Sequence, residues 1–537
     1  MRRVLGWQLR VFLAGVFLCV ATAVAQTGAA TQGELGRKIA ALVAEPEVVR
    51  AHWGVMVTAM DGSPIYQLNE GQLFQPASNA KLFTTTAAVH LLGEERRFTT
   101  VVEGPPGSRG DTTLHGDLTI RGSGDANLSG RAVPYVGSSD KPKEPAPVVD
   151  PLRYLAEMAD AVAATGTKHV TGDVVGDDTL FPWEPYAEDW AADDLVWGYG
   201  APVSALTIND NQLRLTVTPA ARAGEPATVV LDPAMAYYTV EASVRTVAAK
   251  GPGSVAIDRD LGSKVLKVSG TIAADAGADV EEVAIHDPAE YAAVAFKGLL
   301  EARGIKVDGR ARAEHRLPVD TDSFQKETRE PLPNLPKVPQ YEESPLVGGG
   351  CFDSCPLRKE HISPTVMQDV VVTNKVSQNL HAELLLHQLG KAYGTDGSIV
   401  QGARVVRQFL LNVGIDKDDF VFYDGSGLSG HDLVTPRATA KLLQFASTQP
   451  WFADWKKSLP VGGMDGSLAA RFPAAPLKGH LFAKTGTLGE ARALSGYVEC
   501  ASGRTVIFSI MVGNHLPGTS ADREVIDRIV AAIAAAN

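Results

Sequence analysis

The sequence predicts an α+β fold: an α/β sandwich in which an antiparallel sheet is flanked by helices and interrupted by two β-rich inserted domains. Three observations carry this. A helix, a hairpin and a second helix follow one another over 34–92, and helices return after Ser363-Pro364. Three strand-like runs and a helix close the chain over 481–536, while residues 99–318 are mostly short alternating runs split by Gly, Pro and Asp clusters. The frame is thus helix and sheet on both sides of a large insertion.

In chain order, residues 1–25 read as a secretory leader. Arg2, Arg3 and Arg10 form a basic start, 11–20 is apolar, and Ala23-Val24-Ala25 fits a small-x-small cleavage site before Gln26. The apolar run is too short for a permanent anchor, with an uncleaved anchor as the alternative. Removing 25 of 537 residues leaves 512, enough for two to four domains. Losing three arginines takes the formal charge from −12 to −15, which argues against nucleic acid as a partner. Peripheral membrane contact and the oligomeric state stay open.

The mature frame starts with a helix over 34–44, a strand over 53–60, a turn at Asp61-Gly62 and a strand over 64–68. A helix over 78–92 follows, stopped by Gly93. The frame is assigned 26–98 and 319–537, an outer insert 99–213 and 283–318, and a nested insert 214–282. Within the inserts, strands are expected at 114–120, 169–175, 211–217, 227–231, 237–247 and 264–271, and helices at 152–164 and 287–303. Residues 323–358 are rich in Pro, Gly and charge and read as a surface loop or linker. After it, helices run to Leu389 with a break at Ser377-Gln378-Asn379, whose short polar side chains compete for helix backbone. Strands at 481–487, 494–500 and 505–512 precede the last helix, 521–536.

No cofactor is called for, and metal binding is not expected: there is no H-E-x-x-H, and His381 and His387 fall on different faces of one helix. Of the mature cysteines, Cys351 and Cys355 are placed to bridge, while Cys500 ends an apolar run and reads as a buried small hydrophobe.

Chemistry concentrates where the 78–92 helix begins. Ser78 and Lys81 share a face there, a weak alcohol beside an amine that can take its proton if held neutral. Ser-x-x-Lys by itself means little: Ser138 to Lys141 and Ser323 to Lys326 repeat it in stretches unable to start an apolar helix. What raises the signal is the order Ser78-x-x-Lys81, Ser377-x-Asn379, Lys484-Thr485-Gly486, at a helix start, an inter-helix turn and a sheet strand. This trio belongs to serine β-lactamases and penicillin-binding proteins.

The chain resembles the class C low-molecular-mass penicillin-binding proteins, the D-alanyl-D-alanine carboxypeptidase/endopeptidase family, over nearly all of its mature length. Gly122-Ser123-Gly124-Asp125, Asn209-Asp210-Asn211, Asp424-Gly425-Ser426-Gly427-Leu428-Ser429 and Met464-Asp465-Gly466-Ser467-Leu468 are similar to segments of that family, as is 172–178. The 299 residues from Ser78 to Ser377 suit a family with two extra domains there. The resemblance implies a penicillin-binding/serine β-lactamase-like transpeptidase domain, a periplasmic location, and peptidoglycan stem peptides and cross-links as substrates. β-Lactams would be covalent inhibitors.

It further implies Ser78 as nucleophile, Lys81 as base, Ser377 as a proton carrier, and Asn379 bonded to the substrate amide or to Lys81. Lys484, Thr485 and Thr487 would hold the terminal carboxylate, with Gly486 between them. Lys484 would also help to keep Lys81 neutral, and the N–H groups of Ser78 and Thr487 would form the oxyanion hole. Asp177 or Asp178 falls where an acidic residue contacts the diamino acid, though either also suits a turn. Gln378 departs from the more usual Asp or Asn. A β-lactamase or esterase on the same fold, or an inactive wall-binding protein, is the alternative.

Overall fold

The computed structural model describes residues 33–105, 112–137, 149–319, 323–336 and 357–537. The leader and its cut after Ala25, the Cys351/Cys355 pair and the Ser138 to Lys141 repeat lie outside the described residues.

The frame is a five-stranded antiparallel sheet in the spatial order Pro64–Leu68, His52–Ala59, Thr505–Gly513, Ala491–Glu499, Leu481–Leu488. Side chains alternate across a strand, so its two faces feed two cores. Val55, Val57, Phe508, Ile510 and Val512 pack under the helices Glu34–Val43 and Ala521–Ala536, with Ile39, Ile529 and Ile533 against them. Met56, Ile507 and Met511 face the other way, into a core shared with the helices Ala80–Leu92 and Pro436–Ser447. Cys500 is a free, buried thiol in the first of these cores.

The central helix is Ala80–Leu92, and all its residues are buried. A 3-10 turn, Ala77–Asn79, leads into it, so the helical path starts at the expected place with a tighter first turn. Glycine in its left-handed conformation stops neither of the two helices that flank Ser377: Val366–Lys375 gives way to Asn379–Tyr393 through Val376, Ser377 and Gln378. Ser377 itself adopts φ 63, a left-handed conformation unusual for a residue with a side chain.

The inserted part combines strands with the two helices expected there. A mixed sheet runs Ala311–Arg316, Val174–Pro182, Leu118–Arg121, Thr99–Glu103, Arg358–Ile362, and the helices Arg153–Ala163 and Pro288–Ala302 share its core. Asp287 caps the second helix by accepting from Glu290 N, with Pro288 in the first turn. The nested piece holds Gln212–Thr218 between Thr228–Asp232 and Asp279–Ala284, plus a four-stranded sheet in which Val265–Ala273 pairs with the other three strands. Its Leu266, Val268 and Ile272 join one apolar cluster with Tyr291 and Phe296 of the outer insert. The last strand of the mixed sheet, Arg358–Ile362, comes from the edge of the stretch read as a linker; its Arg358 pairs with Glu103 at 2.9 Å.

Candidate active site

Ser78 and Lys81 meet as the helix geometry requires, with Lys81 Nζ 2.9 Å from Ser78 Oγ. The amine is fully buried and has two further neighbours, Asn379 Oδ1 at 2.6 Å and the Ser426 carbonyl at 2.7 Å. Both of these oxygens can only accept. A neutral amine has two N–H bonds and one lone pair; with both bonds given to Asn379 and Ser426, the lone pair is left for Ser78. The hydroxyl then donates to the amine, the arrangement a base needs.

Burial is the main reason the amine can be neutral, lowering Lys81 to about 8, while Asp424, Glu383 and Asp432 pull it back up. Burial also pushes Glu383 up, with repulsion from Asp424 adding to it. Lys484 is buried too and is held well below the ordinary lysine range, first by burial and then by Lys81. The repulsion between the two amines thus lowers Lys484, whereas the lowering of Lys81 comes from burial.

Lys484 donates to Ser377 Oγ at 2.8 Å and to the Thr485 carbonyl at 3.0 Å. Gly486 is needed for the approach of its strand: a Cβ there would sit 2.5 Å from the Pro76 carbonyl and 3.2 Å from Ser78 N. Thr485 Oγ1 pairs with Ser467 Oγ at 2.7 Å, and Thr487 lines the cleft. That cleft, about 360 Å³, is walled by Ser78, Ser377, Asn379 and Thr487 together with Asp194 and Tyr199 of the insert. The three motifs thus converge on one crevice.

The loop behind Lys81 is held by Asp424, which accepts from the N–H groups of Ser426, Gly427 and Ser429 and from Trp190 Nε1 at 3.0 Å. Thr84 Oγ1 donates to the Gly425 carbonyl at 2.8 Å, and Glu383 accepts from Gly425 N. The sequence reading quoted this Gly/Ser-rich segment without giving it a role. Asx-turn composition was the available signal. Glu383 was missed as well, although it lies four residues after Asn379 and so on the same helix face.

The structure does not bring Asp177 to this site. Its buried carboxylate is taken by Arg121 Nη1 at 2.9 Å and by the Thr179 N–H and hydroxyl, inside a strand paired on both sides. Asp178 is likewise occupied, by Ser204 Oγ and His315 Nδ1. The acidic residue of the insert that does reach the cleft is Asp194, which accepts from Tyr199 OH at 2.7 Å; Asn379 Nδ2 donates to the Tyr199 carbonyl at 2.8 Å. His381 and His387 point to different partners, Asp369 with Asp210 and the Gly397 carbonyl. Among the described residues no cluster of metal-binding side chains occurs.

The profile of the D-Ala-D-Ala carboxypeptidase 3 (S13) family matches residues 35–337 and 356–536. The chain belongs to that family. It is 32% identical over 508 residues to the D-alanyl-D-alanine carboxypeptidase of Actinomadura sp. (strain R39), covering 92% of this chain and 83% of that one. Identity to the penicillin-sensitive carboxypeptidase A of Dictyostelium discoideum is 25%, covering 89% and 86%. The crystal structure of penicillin binding protein 4 from Haemophilus influenzae superposes with a TM-score of 0.73 at 20% identity, covering 92% and 98%. The S13 family fold, a penicillin-binding/β-lactamase-like domain with insertions, is therefore this chain's fold. Among the described residues no helix is long and apolar enough to cross a membrane.

Proposed function

We propose that this S13 family member is a serine D-alanyl-D-alanine carboxypeptidase and endopeptidase of peptidoglycan, exported to the periplasm after cleavage behind Ala25. The observation that carries the reading is the environment of Lys81: two pure acceptors use its N–H bonds and Ser78 Oγ faces what remains. In this reading 26–98 and 319–537 form the catalytic frame, with Arg358–Ile362 reaching across to the insert sheet.

The stem peptide's terminal carboxylate is received by Lys484 with Thr485 and Thr487. An anion there favours the charged form of Lys484, whose repulsion then disfavours a proton on Lys81. Ser78 Oγ attacks the carbonyl of the penultimate D-alanine while its proton passes to Lys81. The oxyanion accepts from the N–H groups of Ser78 and Thr487, each such donor being worth about 3–4 kcal/mol. The proton leaves Lys81 by way of Ser377 to the departing amine, D-alanine is released, and water cleaves the ester with Lys81 again as base. Where the amine belongs to a neighbouring stem, the same steps open a cross-link. A β-lactam acylates Ser78 and stalls.

Asp194, which lines the cleft, replaces Asp177 as the group for the diamino acid's amine. Incubation with muropeptides tests the whole reading. Wild-type protein should release D-alanine, Ser78→Ala and penicillin-treated protein should not, and stems with an acetylated side-chain amine should be cut more slowly. Release by Ser78→Ala would remove the mechanism; equal rates on free and acetylated stems would remove the role of Asp194.

A further inference from the structure

The inserted unit reaches the catalytic turn by a second route that the chemistry above does not use. Asn209, Asp210 and Asn211 are all left-handed, with φ 52, 55 and 54, which costs energy for residues with side chains. The turn is held in that shape: Asn211 accepts from Ile208 N and donates to the Pro202 carbonyl, and Asn209 donates to the Gln212 carbonyl. Its effect is to push the Asp210 carboxylate out of the insert and into the frame.

There, Asp210 is buried and collects three donors. Arg131 of the insert binds Oδ2, Gln378 Nε2 donates to the same oxygen at 3.1 Å, and His381 Nε2 lies 3.3 Å from Oδ1. The other ring nitrogen of His381 is 2.7 Å from Asp369 Oδ1, which also accepts from Asn127 Nδ2 of the insert at 3.0 Å. Two carboxylates on opposite sides of a buried ring call for imidazolium. Burial opposes that charge, but Asp369 and Asp210 outweigh it and raise His381 to about 9.

Gln378 is the residue between Ser377 and Asn379. Besides reaching Asp210, its Oε1 accepts from Leu380 N and caps the following helix. The residue before it, Ser377, is left-handed and unsupported by glycine, a conformation that persists only where the surroundings over-determine it. On one side the supports are Lys375, gripped by both Asp465 oxygens at 2.8 and 2.7 Å, and Lys484 on Ser377 Oγ. On the other they are Gln378 and His381, and both end on Asp210.

We propose that Asp210, delivered by the inserted unit, is a positioning residue for the second motif: through Gln378 and His381 it fixes Ser377 and Asn379 against Lys81 and Lys484. The insert thereby completes the catalytic turn as well as walling the cleft. This rests on the reading of Ser78 as nucleophile.

The test is acylation by a chromogenic cephalosporin, followed as the limiting rate and the half-saturating concentration, with thermal midpoints alongside. Gln378→Asn retains a good capping side chain but is one methylene too short for Asp210. It and Gln378→Ala should slow the limiting rate about 10- to 100-fold, the scale of small misplacements in active sites, at little-changed half-saturation. Asp210→Ala should do the same, and Asp210→Ala/Gln378→Ala should be no slower than the worse single variant, since both cut one connection. Wild-type rates in Gln378→Asn, or a lowered midpoint with an unchanged rate, would make the contact merely structural and overturn the proposal. Additive losses in the double variant would also overturn it. If Asp210→Ala does not fold, the two Gln378 variants decide alone. Ser78→Ala separates the premises: acylation surviving there sinks the nucleophile assignment, whatever the Gln378 variants do.

Discussion

Lys81→Met is expected to stay folded, because methionine fills a similar volume, and to acylate about 10²–10⁴ times more slowly, the usual worth of a placed general base. The pH profile of the wild type checks the same point from the other side. Only the neutral amine can accept the Ser78 proton. At an ordinary lysine value near 10.4, about one molecule in several thousand would be ready at pH 7; with Lys81 lowered to about 8, roughly one in ten is. The acylation rate should therefore climb with pH to a plateau above about 8, and Lys81→Met should lack that rise. A profile flat from pH 5 to 9 in the wild type would remove Lys81 as the base.

Gly427→Ala is the second large effect. Gly427 has φ 81, and a Cβ there would fall 1.8 Å from the Ala77 carbonyl and 3.0 Å from the Ala80 side chain. The left-handed penalty and the overpacking together amount to about 2–5 kcal/mol. The strain cannot be relieved locally. The loop's N–H groups are tied to Asp424, and moving it withdraws the Ser426 carbonyl from Lys81 and tilts the turn that carries Ser78. The expected result is a clearly lowered thermal midpoint together with an acylation rate down about 100-fold. A variant as stable and reactive as wild type would show that the loop does not back the nucleophile.

Much of this site was legible because its signals are local. Ser78 and Lys81 need only helix geometry, Pro64–Leu68 and Ala521–Ala536 announce themselves by turn and cap residues, and Ser377-Gln378-Asn379 breaks a helix by its own composition. Helices Ile399–Val413 and Pro436–Ser447 carried equally local marks that the sequence reading left unassigned. Ser398 and Thr435 cap them, Pro436 opens the second and left-handed Gly414 ends the first. The misses at the site have another origin. Asp177 looked available because sequence shows a carboxylate but not Arg121 beside it, whereas Asp194 is tied to the site only through Tyr199, whose carbonyl accepts from the distant Asn379, and Asp210 gains its meaning from the distant Gln378 and His381. The same holds for Arg358–Ile362, a polar strand whose pairing with Thr99–Glu103 no periodicity announces. That Lys81 must be held neutral by burial or by a neighbouring positive charge followed from the sequence; that burial is the chief cause shows only in the assembled core.

The most direct test of the account is to treat the purified protein with penicillin, digest it and locate the adduct by mass spectrometry. The account predicts one penicilloyl group per chain, on the peptide containing Ser78, and no adduct in Ser78→Ala. An adduct on another serine such as Ser377, or an unmodified wild-type chain under conditions where it is folded, would contradict it.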